Sequence, residues 1–321
     1  MSAQPAGETR PHSKYDRLIA AAKAVPTVTT IVVHPCDETS LRGAIEAAEA
    51  GIIKPILVGP AAKIAAAAAK HNINIAGYEI VDAEHSEAAA AKGVELIHQA
   101  KGEVLMKGSL HTDELMRSVT AKATGLRTDR RISHVFVMDV PTYTDTVFIT
   151  DAAINIFPDL DGKRDIIQNA IDLFTEAGFG TVPRVAVLSA VETVTSKIPS
   201  TIEAAALCKM ADRGQITGGL LDGPLAFDNA IDVEAARIKG IKSEVAGHAQ
   251  ILVVPDLEAG NMLAKNLAYF AKADGAGVVL GARVPIVLTS RADSPRARMA
   301  SCAVAALQAD ARRRRAVNAA A

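Results

Sequence analysis

The chain has 321 residues, 49% of them hydrophobic and 22% charged, and its 35 basic residues nearly balance its 36 acidic ones. This length and composition indicate a globular protein of two domains of roughly 150 residues each. The near-neutral charge argues against a general nucleic-acid surface. Because charges or glycines interrupt every apolar run well before ~18 residues, we expect no membrane span.

The cysteines indicate a reducing compartment. Cys36, Cys208 and Cys302 have neither CxxC nor metal-ligand spacing. Disulfide frameworks belong to oxidising compartments and need paired cysteines. The sequence therefore predicts a cytoplasmic protein without a disulfide framework, and it does not predict a metal site.

Short apolar runs alternate with longer helical stretches from Val28 onward, which is typical of parallel β/α layering. The first half predicts strands at 28–33, 54–60 and 78–82, helices at 39–50, 61–70 and 84–101, and a loop after an apolar strand at 104–112. Residues 133–140 and 146–150 are joined by so short a turn that they predict an antiparallel pair. The remaining predicted elements are helices at 163–178, 201–214 and 296–307, and strands at 184–189, 251–255 and 284–288.

These elements predict an α/β fold with two three-layer α/β domains, an interdomain cleft, and a mixed sheet in the second domain. The last strand and helix need a sheet to cover, so we expect the chain to return to the first domain. Residues 1–128 and 278–321 then form the first domain, and residues 129–277 form the second. Four arginines at 312–315 are expected to be a solvated helix end, with contact to the phosphates of a large anionic ligand as the alternative.

The most informative stretch is the turn between the last predicted strand and the last predicted helix. Ser290, Arg291 and Asp293 lie there, directly before Ser294 and Pro295, which suit a helix N-cap and first helical position. A helix start presents free N–H groups, so a hydroxyl, a guanidinium and a carboxylate beside it predict an anion site with an acid or base. The alternative is that the serine and aspartate are ordinary turn and cap residues.

A second candidate loop is the one at 104–112. Lys107 and Arg117 could hold phosphate, while Ser109 and Thr112 donate hydrogen bonds. The glycine between Lys107 and Ser109 lets the backbone approach a ligand closely. The alternative is that Thr112 caps the helix and that Glu114 pairs with Arg117 at the surface.

Other loops carry weaker signals. Lys197 could face a cleft and bind substrate or be a solvated lysine. Asn261 is a candidate substrate-binding residue, with turn and cap chemistry for Asn261 and Gly260 as the alternative. His34 and Cys36 at a strand exit suggest a thiolate nucleophile, although a buried structural cysteine is the more common case. The chain has neither a Walker motif nor a GxGxxG after a strand, so a nicotinamide enzyme of the usual type lacks support.

Taken together, four loops resemble those of the phosphate acetyltransferase and phosphate butyryltransferase family, and the resemblance runs from about Tyr15 to Val317. The loops are residues 107–117, 222–225, 255–261 and 289–294. The last loop is closest to the butyryltransferase branch and to the acyltransferase half of fused hydratase and phosphate acyltransferase proteins.

The resemblance implies reversible transfer of a short-chain acyl group, such as acetyl or butyryl, between coenzyme A and inorganic phosphate. It implies coenzyme A as a substrate with no prosthetic group, a cleft between two domains, and commonly a homodimer. Ser290 and Arg291 match the family's serine and arginine, and Arg117 matches its helix arginine. Acetyl-specific members have an acidic residue where this chain has Ala297, so Asp293 is the candidate base.

Two other classes stay open at this point. One is a metal- and NAD(P)-dependent dehydrogenase of related layout, and the other is a non-catalytic acyl-CoA-binding regulatory module. For the acyltransferase we expect direct transfer in a ternary complex, without an acyl-enzyme. Acyl-CoA and inorganic phosphate are then the partners, with no nucleic acid and no membrane.

Overall fold

The structure, a computed structural model, describes residues 13–289 and 293–320. The strands of this part are β1 Val28–Val33, β2 Ile53–Gly59, β3 Glu79–Asp82, β4 Val104–Lys107, β5 Ser133–Asp139, β6 Val147–Thr150, β7 Arg184–Leu188, β8 Leu220–Leu225, β9 Ile251–Val253, β10 Asp274–Leu280 and β11 Ile286–Val287. Its helices are α1 Ser13–Ala24, α2 Glu38–Glu49, α3 Ala61–Lys70, α4 Ser86–His98, α5 Thr112–Thr120, α6 Leu160–Glu176, α7 Pro199–Asp212, α8 Phe227–Ile231, α9 Val233–Ile238, α10 Leu257–Tyr269 and α11 Pro295–Ala320.

These strands form one mixed sheet in the order β3-β2-β1-β4-β11-β10-β5-β6-β9-β7-β8. Strands β3, β2, β1, β4 and β11 are parallel to one another, and so are β6, β9, β7 and β8. In the middle, β10 is antiparallel to both β11 and β5, and β5 is antiparallel to β6. The two parallel groups therefore run in opposite directions. We call the edge where β1, β4 and β11 end the first edge, and the edge where β6, β7, β9 and β10 end the second edge.

Helices cover both faces of the sheet, because the strands are apolar on both sides. In β1, Val28 and Val32 pack on the face that contacts α2, α3, α6, α7 and α11, while Ile31 and Val33 pack on the face that contacts α4 and α5. A third apolar cluster lies between the second half of the sheet and α8, α9 and α10. This near-continuous burial is what strands covered on both faces require. The result is a three-layer α/β arrangement.

The predicted α/β class, the mixed sheet and the antiparallel β5–β6 pair are confirmed. The interpretation of Gly260 and Asn261 as turn and cap residues is wrong, since both lie inside α10. Asp256 caps that helix instead, its Oδ1 accepting a hydrogen bond of 2.9 Å from the N–H of Ala259. An aspartate preceding the helix satisfies a free N–H group that neither Gly260 nor Asn261 can reach. Residue 278, where the first domain is expected to resume, lies within β10, and the sheet runs continuously through it.

The prediction of a solvated helix end at residues 312–315 holds for Arg314 and Arg315, which are exposed, but not for Arg312 and Arg313, which are half-buried. Arg313 pairs with Glu103 and also donates to the carbonyl oxygens of residues 26 and 27. Arg312 donates to the carbonyl oxygen of Arg283 at 2.9 Å, and Arg315 pairs with Glu176 at 2.5 Å. Because the helix continues over the sheet, the guanidinium groups of Arg312 and Arg313 meet carbonyl and carboxylate oxygens of other elements, whereas those of Arg314 and Arg315 stay largely in water.

Candidate active site at the first edge

Among the helices that begin at the first edge are α2, α3, α5 and α11, which directly follow β1, β2, β4 and β11. At α2, Asp37 accepts from the N–H of Ser40 at 2.8 Å. At α11, the Ser294 hydroxyl accepts from the N–H of Ala297 at 3.1 Å, and Pro295 is the first helical residue. This confirms the predicted helix start. Four helix N-termini at one edge create a positive potential suited to a phosphate group.

The predicted catalytic turn joins β11 to α11 at this edge. Thr289 is buried and Asp293 is half-buried on either side of it. Ser290 and Arg291 lie outside the described residues. Since β4 and β11 are parallel neighbours, the described residues that lead into the turn lie beside the loop that begins at Lys107. The structure thus brings together the two loops that the sequence singles out for anion binding.

The loop after β4 is held tightly against the end of β1. Lys107 is buried, and its Nζ donates to the carbonyl oxygen of Gly108 at 3.3 Å. The N–H of Gly108 donates to the carbonyl oxygen of Val33 at 2.8 Å. A Cβ atom on residue 108 would lie 2.3 Å from that carbonyl oxygen. Only glycine permits this approach, so the glycine fixes the position of the buried lysine next to the helix starts.

The hydroxyl of Ser109 joins this loop to the residues after β1. It donates to the carbonyl oxygen of His34 at 2.8 Å. Its Oγ also lies 3.0 Å from His34 Nδ1 and accepts from the N–H of Cys36 at 3.3 Å. With the hydroxyl proton directed at that carbonyl, the Ser109 oxygen accepts from His34 Nδ1, in the tautomer of the neutral ring that leaves Nε2 as an acceptor. Ser109 therefore orients His34, which the sequence suggested only as a partner of Cys36.

The same environment makes Cys36 a poor nucleophile. Burial raises the pKa of its thiol to about 11, although Lys63 acts in the opposite direction. Burial also lowers the pKa of His34, and Lys63 lowers it further. A thiol with so high a pKa is protonated at neutral pH, whereas the thiolate is the reactive form. The buried structural cysteine is the interpretation that the structure favours.

Thr112 and Arg117 both lie on α5, but their surroundings differ from expectation. Thr112 is the first helical residue, and the capping contact comes from Glu114, whose carboxylate accepts from the N–H of His111 at 2.9 Å. Arg117 is 68% exposed and pairs with Glu87 at 3.1 Å instead of with Glu114. The structure therefore places Arg117 on the outer side of the helix, where a ligand would have to replace the pairing with Glu87.

Lys197 and Asn261 lie at the second edge. Lys197 precedes α7, whose Ser200 hydroxyl is 2.8 Å from that of Ser189 at the end of β7. Asn261 Nδ2 donates to the carbonyl oxygen of Ala152 at 3.2 Å, just after β6. The sequence could not reveal this separation, because the direction of β7 and β9 is set by pairings with distant strands. The structure does not bring these two side chains to the loops that carry Lys107 and Asp293.

Two arginines in the first turn of α11 were missed by the sequence analysis. The Arg296 guanidinium stacks on the Tyr15 ring, with 3.8 Å between Cζ and the ring centroid, and pairs with Asp274 at 3.2 Å. Its buried Nη2 has no hydrogen-bond partner among the described residues. Arg298 is buried against α2, where a Cβ on Gly43 would lie 2.9 Å from its Cδ. Cations are unfavourable at a helix N-terminus, so two arginines there were the available signal of an anion site.

Two negative findings apply to residues 13–289 and 293–320. These residues contain no group of three or more His, Cys, Asp or Glu side chains placed to hold a metal ion. Every helix in the same residues is too short or too polar to cross a lipid bilayer.

Comparisons with known proteins identify the family. A sequence model of the family described as phosphate acetyl/butaryl transferase matches residues 87–306. A phosphate acetyltransferase of Rhizobium meliloti is 76% identical over 301 residues, which cover 94% of this chain and 95% of the relative. A phosphate butyryltransferase of Clostridium beijerinckii is 42% identical over 295 residues, which cover 92% and 97%.

Among solved structures, a branched-chain phosphotransacylase from Enterococcus faecalis V583 has a TM-score of 0.78 at 27% identity, covering 88% of this chain and 99% of that one. The protein is thus an acyltransferase that moves an acyl group reversibly between coenzyme A and inorganic phosphate. The chain belongs to the phosphate acetyltransferase and phosphate butyryltransferase family.

Proposed function

We propose that the preferred acyl group is acetyl, so that acetyl-CoA and inorganic phosphate give acetyl phosphate and coenzyme A. The observation that carries this proposal is the 76% identity, over nearly the whole chain, to a phosphate acetyltransferase. The residue pattern of the turn alone favours the butyryl branch, because Ala297 replaces the acidic residue of acetyl-specific members. Identity over both domains is the broader signal, since the acyl pocket depends on many side chains.

The first edge supplies the phosphate site in this proposal. Inorganic phosphate lies against the N-terminus of α11, where Ser290, Arg291 and the unpaired Nη2 of Arg296 donate to its oxygens. Buried Lys107 adds positive charge to the same place. Four helix N-termini at this edge support the assignment, since fixed dipoles stabilise developing negative charge without reorganising.

The reaction needs one proton transfer and no covalent enzyme intermediate. A phosphate oxygen attacks the thioester carbonyl carbon, the C–S bond breaks, and the thiolate leaves as coenzyme A after Asp293 passes it the proton of the attacking hydrogen phosphate. In the reverse direction Asp293 accepts the proton of the thiol, whose unperturbed pKa of about 8.5 leaves it mostly protonated at neutral pH. Ser290 and the N–H groups at the start of α11 stabilise the oxyanion between the two steps. The raised pKa of Cys36 supports direct transfer over an acyl-cysteine.

The acetyl proposal is tested by comparing kcat/KM for acetyl-, propionyl- and butyryl-CoA at saturating phosphate. We expect acetyl-CoA to be preferred, with kcat/KM falling about 10-fold for each methylene group added to the acyl chain. A hydrophobic pocket of limited size supplies this discrimination. A preference for butyryl-CoA would refute the proposal and leave the family assignment intact.

The phosphate site is tested with two matched variants. Arg296→Gln should raise the KM for phosphate about 10-fold or more, because it removes a charge-assisted hydrogen bond. Lys197→Ala, at the second edge, should change it by less than about two-fold. The reverse result would move the phosphate site to the second edge.

Coenzyme A binding without turnover would favour the regulatory module, and nicotinamide-dependent redox activity would favour the dehydrogenase.

The cellular location, the oligomeric state and the division into domains are also proposals. We expect a cytoplasmic homodimer in which residues 1–128 with 278–321 and residues 129–277 act as two domains around coenzyme A. Ile156, Phe157 and Met262 are 61%, 76% and 59% exposed at the second edge, which supports an interface there. Light scattering on the purified protein measures the mass directly, and a monomeric mass would refute the dimer.

A further inference from the structure

A polar cavity of about 360 Å³ lies at the second edge, on the far side of the sheet from the candidate active site. Its walls are α6, α11 and the residues that connect β10 to β11. It is lined by four arginines and two carboxylates, together with Gln308: Arg130, Arg283, Arg312, Arg315, Asp172 and Glu176. Positive charge therefore exceeds negative charge in a concave site that the acyl transfer reaction does not use.

The arginines of the cavity are only partly neutralised. Arg130 donates to Asp172 at 2.8 Å and Arg315 to Glu176 at 2.5 Å. Arg283 is exposed, and its guanidinium makes no hydrogen bond or ion pair within the part of the chain that the structure describes. Guanidinium groups with a free N–H edge are the usual partners of phosphate oxygens.

Two buried acceptors in the same cavity have no donor. Gln308 is 2% exposed, and its Oε1 accepts no hydrogen bond from any described residue. Oε2 of Glu176 likewise accepts none, although burial, which raises the pKa of Glu176, is opposed in part by a hydrogen-bonding contact of the carboxyl with the Gln308 side chain. Buried acceptors without partners are rare and costly, so each unpaired acceptor indicates a missing donor. A ligand that fills the cavity must therefore offer O–H or N–H groups as well as negative charge.

The cavity is connected to the catalytic turn through both segments that flank it. Gln308, Arg312 and Arg315 recur at helical spacing on one face of α11, whose first residue follows the turn. Arg283 lies in the short connection that leads into β11, whose last residue precedes the turn by a few positions. A ligand that joins Arg283 to Arg312 would thus fix the far ends of β11 and α11 relative to each other.

We propose that this cavity is a regulatory site for a small organic phosphate with hydroxyl or amino groups. The phosphate pairs with Arg283 and Arg312, and the donors satisfy Gln308 and Glu176. Binding alters the rate of acyl transfer because it holds the two segments that position the residues between Thr289 and Ser294. A volume of about 360 Å³ suits a sugar phosphate or a nucleoside monophosphate, at the lower end of the roughly 300–1,000 Å³ of ligand pockets.

The test is calorimetric titration with AMP and, separately, glucose 6-phosphate, at constant ionic strength and with coenzyme A saturating. Saturation with coenzyme A keeps either probe out of the active site, and comparison of the two probes distinguishes nucleotide from sugar phosphate. We expect one probe to bind and to change kcat or the KM for phosphate. Arg283→Ala should weaken that binding about 10-fold, the loss of one charge-assisted contact.

Arg314→Ala is the matched control, because Arg314 belongs to the same arginine cluster but pairs with Asp310 outside the cavity. It should leave the affinity unchanged. Gln308→Leu, which removes the buried acceptor, should weaken binding as Arg283→Ala does. The proposal is overturned if neither probe binds, if Arg283→Ala binds as tightly as the wild type, or if binding leaves the kinetics unchanged. If neither probe binds, the buried acceptors are satisfied by water alone.

Discussion

His134 makes the stability of the protein depend on pH, and the size of this effect follows from its burial. The residue is 1% exposed in β5, and its ring lies 4.4 Å from that of Phe136 in an edge-to-face arrangement. Its Nδ1 is buried without a hydrogen-bond partner among the described residues. Burial lowers the pKa of His134 from 6.5 to about 4, and the Asp151 carboxylate opposes this only in part.

The direction of this pH dependence follows from the number of protons that the folded and unfolded states bind. Between pH 6.5 and about 4 the unfolded chain protonates this histidine while the folded chain does not, so the free energy of unfolding falls as pH falls. Each pH unit changes the free energy of unfolding by at most about 1.4 kcal/mol. A drop from about pH 7.5 to 5 therefore lowers this free energy by roughly 2 kcal/mol. The contribution is fully present above the unfolded pKa and is lost as pH decreases through this window.

Urea denaturation of the wild type and His134→Leu at both pH values measures the effect. Leucine removes the unpaired nitrogen and nearly fills the space, so we expect a change of less than about 1.5 kcal/mol at neutral pH. The wild type should lose about 2 kcal/mol more than the variant on acidification. His248→Leu is the control, since His248 is exposed. Equal pH dependence in the wild type and His134→Leu would show that His134 does not cause the loss of stability at low pH.

Three further predictions concern the first half of the chain. Cys36→Ala should retain near-normal turnover, because burial holds the thiol pKa near 11; loss of turnover with intact folding would contradict direct transfer. Lys14→Met should lower the free energy of unfolding by about 3 kcal/mol, since the Nζ donates to three carbonyl oxygens of the β5–β6 connection. Lys92→Met, which breaks an exposed pair, should cost less than about 0.5 kcal/mol. Gly108→Ala should reduce kcat/KM about 100-fold by displacing the loop, because its Cβ would lie 2.3 Å from a carbonyl oxygen; unchanged kinetics would exclude a role for the loop.

Local chemistry made much of this fold predictable from the sequence. Ser294 and Pro295 fixed the start of α11, because cap preferences act within a few residues. The short turn between β5 and β6 required an antiparallel pair. By contrast, β10 begins Asp-Gly-Ala-Gly, which is typical of a loop, and only its pairing with β5 and β11 makes it a strand.

Less of the candidate site could be predicted from the sequence, because its geometry depends on pairing between distant strands. The loops that carry Lys107 and Asp293 adjoin because their strands are parallel neighbours, as the β/α pattern suggested. That Lys197 lies at the opposite edge depends on three antiparallel pairings in the middle of the sheet. The partners of Arg117 and Arg296 are likewise set by contacts between distant segments. Short-range spacing carries no information about such contacts.

The most direct test of the account is the release of free thiol from acetyl-CoA by the purified protein, with and without inorganic phosphate. We predict release that requires phosphate, persists in the presence of a chelator, and falls about 100-fold or more in Ser290→Ala, which removes one donor to the oxyanion. Thiol release that is independent of phosphate, or unchanged in Ser290→Ala, would contradict acyl transfer to phosphate at the first edge.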